Sequence, residues 1–86
     1  MKKLTFTMIQ KQAAEIVEMK LGIKPMWKDL VFSEIEVHEE KEGDRLISAE
    51  FYRCGFPKVV YVIAYRFHEW KLIIINKDTE KELLIS

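Results

Sequence analysis

The segments VVYVIAYRF, residues 59–67, and LIII, residues 72–75, decide how this chain is organised. Both are rich in β-branched and aromatic residues and therefore read as strands. A strand with one wet face alternates apolar and polar residues, whereas these two are apolar at odd and even positions alike. Each is therefore expected to be shielded from water on both sides. What supplies the two shields is the question the rest of the sequence has to answer.

Towards the N-terminus the period changes from two to between three and four. Ile9, Ala13, Ile16 and Val17 recur at the spacing that places them on one face of a helix, and Met19 and Ile23 widen the stripe. Thr7 followed by Gln10 fits a capping box. Gly22 suits the left-handed residue that ends a helix, and Pro25 blocks its continuation. The pattern predicts a helix over residues 7–21. Beyond Pro25, Val31, Ser33, Ile35 and Val37 alternate with Phe32, Glu34, Glu36 and His38, the pattern of a strand with one solvated face. The glycine of EKEGDR marks a hairpin loop, and CGFPK marks a second turn.

The expected fold class is α+β: one N-terminal helix followed by a four- or five-stranded antiparallel sheet. Its strands form a meander over about residues 30–39, 45–53, 58–67, 71–76 and 81–85, within a single domain spanning 1–86. One helix covers one face of a sheet. The other face must either curl inward, as in a barrel, or meet another chain. Helix-then-five-strands resembles the order of the Sm-like barrels, and helix-then-four that of cystatin-like sheets. The chain has neither the glycine-and-aspartate pattern of an Sm motif between Val31 and Cys54 nor a glutamine–valine–glycine loop, so the likeness is one of topology.

Composition narrows the activities. Fourteen basic and fourteen acidic side chains cancel, which removes the long-range field that draws proteins onto nucleic acid or anionic membranes. A single cysteine, Cys54, excludes an intrachain disulfide and points to an intracellular, cytoplasmic protein. The start, MKKLTFTMIQKQ, has a basic opening, but Gln10, Lys11 and Gln12 interrupt the apolar run before it reaches signal-peptide length. No stretch approaches the roughly 20 apolar residues that span a bilayer.

The densest concentration of chemistry-bearing side chains is SEIEVHEE, residues 33–40, with four glutamates and His38. Glu36 and His38, two apart on a strand, form a pair that could ligate a metal, with Glu50 or His68 as a third ligand. Their expected spacing of about 6.5–7 Å is long for one ion, and charge on an edge strand commonly serves to prevent aggregation. Cys54 and His68 invite a nucleophile–base reading, but no orienting third group or nearby helix N-terminus accompanies them. Glu50 is a carboxylate set among apolar neighbours, for which a structural ion pair with Arg66 or a lysine is the commoner role. With no phosphate loop, GxGxxG, CxxC or HExxH, neither an enzyme nor a cofactor is expected. A single-stranded nucleic-acid binder is an alternative, because Tyr52, Phe56, Tyr61, Tyr65, Phe67 and Trp70 could stack bases. The glutamates of the neighbouring strand would oppose phosphate.

The leading expectation is a protein-binding module, a small regulator, inhibitor or subunit of the kind that phages and mobile elements often encode. If the first hairpin is centred on Glu42 and the second on Phe56, the helix-covered face holds Val31, Ile35, Val37, Ile47, Ala49, Phe51, Tyr61, Ile63 and Tyr65. The opposite face then presents Phe32, Glu34, Glu36, Glu50, Tyr52, Val60, Val62, Ile73 and Ile75 to a partner. That partner is expected to be a second copy in a homodimer, or a basic protein that meets the glutamates.

Overall fold

The computed structural model describes residues 5–39 and 45–85. Helix α1 spans Phe6–Leu21 and is followed by a short 3-10 turn, Trp27–Asp29. Five strands complete the chain: β1 Leu30–Glu39, β2 Arg45–Arg53, β3 Phe56–Arg66, β4 Glu69–Asn76 and β5 Lys81–Ile85. They pair as an antiparallel meander in the order β1-β2-β3-β4-β5, an open sheet with β1 and β5 at its edges. The α+β architecture is the one expected, and the barrel option is not taken. The glycine-bearing loop of the first hairpin lies outside the described residues.

Helix α1 buries Ile9, Ala13, Ile16 and Val17, the stripe read from the sequence. Its N-cap is Thr5, whose hydroxyl accepts from the Met8 amide at 3.2 Å, and not Thr7. Both threonines could cap a helix; beginning at Thr5 brings Phe6 edge-on to Phe32, with ring centroids 5.5 Å apart. At the other end Gly22 adopts φ 71° and returns its N–H to Glu18 O at 2.9 Å. This left-handed residue closes the helix as expected.

The buried stripe meets Leu30, Ala49, Phe51, Tyr61, Ile63 and Leu72 in one core cluster. The registers Ile35↔Ala49 and Ile47↔Tyr65 are those of hairpins centred on Glu42 and Phe56. A register shift between Tyr52 and Arg53 nevertheless pairs Arg53 with Phe56, so the second turn itself is Cys54–Gly55 and not a loop around Phe56. One departure matters. A bulge between Phe32 and Glu34 inserts an extra residue into β1, so Phe32 pairs with Phe51 and Val31 with Tyr52. Phe32 therefore lies on the helix side, 4.9 Å between ring centroids from Phe51, and Val31 lies on the opposite side. These two assignments are the reverse of the sequence expectation. The cause is the ring of Phe32, which continues a row of aromatic contacts through Phe51 to Tyr61.

The connection between β3 and β4 is also tighter than expected. Arg66 pairs with Glu69, leaving Phe67 and His68 as a two-residue turn with φ 52° and 60°. Both positive angles are those of the mirror-image turn that suits strand twist, normally built from asparagine and glycine. Trp70 is thereby drawn into β4 opposite Tyr65, at 4.9 Å between centroids. Among the described residues no helix is long and apolar enough to cross a membrane.

Two substitutions test these local readings. The Gly22→Val variant should lose roughly 1 kcal/mol or more, since a β-branched residue resists the left-handed region. No heavy atom lies within 4 Å of where a Cβ would stand, so Gly22→Ala measured beside it in urea unfolding reports the backbone cost free of any clash. In the opposite direction, replacing Phe67–His68 by Asn–Gly should raise stability by about 1 kcal/mol in the same assay. A loss there would mean that the aromatic pair stabilises more than its backbone costs.

Candidate interface on the open sheet face

Sheet pairing fixes the side opposite the helix residue by residue. One row runs Glu34, Glu50, Val62, Ile73, Leu84 from β1 to β5, and a second runs Val31, Tyr52, Val60, Ile75, Glu82. A third runs Glu36, Ser48, Ala64, Lys71. None of these residues belongs to the core cluster or to the hydrophobics packed against it. Val60 is nevertheless only 2 % exposed, flanked by its ladder partners Tyr52 and Ile75. Around it the apolar surface opens to solvent. Val62, Ile73 and Ile75 are half-buried, Val31 is 38 % exposed and Leu84 is 59 % exposed. The result is a continuous aliphatic strip over β3, β4 and β5.

Charge divides this face across its width. On the β1–β2 side Glu34 stands directly opposite Glu50. The extra residue of the bulge lets the Ser33 hydroxyl donate to the Glu50 carboxylate at 2.9 Å or to its carbonyl oxygen at 3.2 Å. Glu50 is thus held by a hydroxyl and, among the described residues, not by the basic partner expected from the sequence. Arg66 instead lies over the Phe67 ring, 4.7 Å from its centroid. The Glu34 carboxyl is held above the ordinary 4.5, first by a hydrogen bond to the Glu36 side chain and by that group's charge, with desolvation and the Glu50 charge adding to it. Glu36 in turn lies 3.8 Å from His38 Nε2. On the β3–β4 side the face carries Arg66 and Lys71, with Glu69 opposite Arg66.

The residues singled out by sequence distribute unevenly over this geometry. Eight of the nine interface candidates lie on the open face as expected, and Phe32 does not. Glu36 and His38 are neighbours, but among the described residues no group of three or more histidine, cysteine, aspartate or glutamate side chains is placed to hold a metal. Cys54 is exposed in the β2–β3 turn, where its N–H reaches Asp29 O at 2.8 Å. His68 lies at the far end of β3, roughly 30 Å away along the strand, so the two do not form a nucleophile–base pair. The six aromatics offered for base stacking are split among sites. Tyr61 is in the core, Tyr65 and Trp70 pair with one another, Tyr52 is on the open face, and Phe56 and Phe67 sit at opposite ends of β3. They do not make one platform.

Sequence reasoning missed Val31, Leu84 and Lys71 as members of this face. Leu84 was signalled, since ELLIS is apolar at both parities like LIII. Val31 was not, because an apolar pair at 31–32 satisfies either register. Comparison with known proteins gave no matching family model, no matching curated protein and no matching solved structure.

The acidic cluster makes a prediction with a definite sign. A carboxyl whose folded-state pKa is raised adds stability that is complete below its ordinary value and lost as pH climbs through the raised one. The wild-type chain should therefore lose stability relative to Glu34→Gln as pH rises out of the ordinary carboxylate range. Melting temperatures of the two proteins across that range measure it, and a constant difference would show that Glu34 does not sense Glu36.

Proposed function

We propose that this protein is a non-enzymatic protein-binding module that works through the open face of its sheet. The observation that carries the reading is the aliphatic strip of Val62, Ile73, Ile75 and Leu84, which no described element covers in the way α1 covers Ile63 and Leu72. Contiguous apolar surface of this kind, rimmed by charge, marks association sites on small proteins. A small domain with no disulfide also gains stability by burying such a surface against a partner. The carboxylates of Glu34, Glu36 and Glu50 beside the strip give the site orientation and partner preference more than affinity. A regulator, inhibitor or subunit that acts by occupying a surface requires no more than this.

Val62, at the centre of the strip, gives the test. Val62→Arg places a cation where an apolar contact is proposed and should abolish association, self or foreign, while the far-UV spectrum and cooperative unfolding persist. Light scattering with and without the substitution, together with thermal melts, measures both quantities. If the variant unfolds and the wild type is strictly monomeric, Val62 is part of the chain's own core and the reading fails.

A further inference from the structure

We infer that the open face is closed by a second copy of this chain, related by a two-fold axis running along β3, with Lys71 of each copy seated beside Glu36 of the other. The inference rests on the interface reading above and adds the occupant and its orientation. Three observations support it.

The first is the division of charge. A face-to-face pair of sheets with a two-fold axis along β3 sets β2 of one copy over β4 of the other, and β1 over β5. Lys71 then arrives above Ser48, one strand away from Glu36 and one same-face position from Glu50. An axis perpendicular to the strands through Val62 would set Glu34 over Glu34 and Glu50 over Glu50. Like charges at a desolvated contact are strongly unfavourable. The first orientation brings Arg66 over its own copy only at the exposed strand end, where it lies over the Phe67 ring, whereas the second opposes Glu34 and Glu50 to their own copies in the central row.

The second observation is shape. Ser48 and Ala64 are the small residues of their row, and a depression of about 260 Å³ lies over them, bounded by Glu36, His38, Leu46 and Arg66. A lysine entering from above would lay its methylenes against Leu46 and Ala64 and bring its ammonium to Glu36. Among the described residues Lys71 has no ion-pair partner within its own chain.

The third is area. Five strands about 4.8 Å apart, over about seven ladder positions of about 3.4 Å each, give each face on the order of 550 Å². Two faces bury about 1,100 Å², close to the lower bound of specific interfaces and enough for a reversible dimer.

The experiment is a charge exchange read by sedimentation equilibrium up to about 100 µM protein, with circular dichroism to verify each fold. Lys71→Glu and Glu36→Lys should each weaken dimerisation by about tenfold or more. The double variant should recover to within a few fold of the wild type, because the two charges have merely changed sides. A double variant no better than the weaker single one overturns the two-fold pairing. So does a wild-type chain that stays monomeric at the highest concentration; if Val62→Arg is then still folded but no longer captures a host protein that the wild type binds, the interface reading survives and only the second copy is ruled out.

Discussion

The structure depends on one mismatch of numbers: two central strands apolar on both faces, and one helix to cover them. Burial of Ile63, Leu72, Tyr61 and Phe51 beneath α1 accounts for one side. The same strands carry Val60, Val62, Ile73 and Ile75 on the other, where no described helix lies. At roughly 25 cal/mol for each Å² of apolar surface removed from water, leaving such a strip open forgoes several kcal/mol, comparable with the total stability of a small domain. A sheet can avoid that loss by closing into a barrel or by association. This sheet stays open, and association is the route we propose.

The edges carry features that would keep such association specific. β1 is bulged at Ser33 and carries Glu34, Glu36 and His38, features that blunt an edge against unplanned strand pairing. The bulge does more than blunt. By shifting the register by one residue it turns Phe32 inward to complete the aromatic row with Phe6, Phe51 and Tyr61, and it frees the Ser33 hydroxyl to hold Glu50. One inserted residue thus joins the core on one side of the sheet to the acidic group on the other.

Much of this was legible in the sequence, and the parts that were not share a physical cause. The helix stripe, the Gly22 cap and both hairpin registers follow from periodicity, because a one-residue slip would have moved Ile47, Ala49 and Phe51 out of the core. Where neighbouring residues are chemically equivalent, periodicity carries no information. Val31 and Phe32 are both apolar, so the bulge between core and surface could not be read; Thr5 and Thr7 are both capping residues, so the helix start could not be placed. The Phe67–His68 turn was hidden for a different reason: local preference opposes it, and the cross-strand pairing of Tyr65 with Trp70 overrides that preference. Of the candidate site, the acidic flank and the aliphatic centre were legible, while the basic flank at Lys71 emerged only when the register placed it in the row of Glu36.

The central claim is that the two apolar faces of this sheet are covered by different chains. Intermolecular NOEs in a mixture of methyl-labelled and unlabelled protein test it most directly. The account predicts cross-chain contacts at the methyls of Val62, Ile73 and Ile75 and none at Ile63 or Leu72. Cross-chain contacts confined to the helix-side methyls, or none at all in a sample concentrated well above the micromolar range, would contradict it.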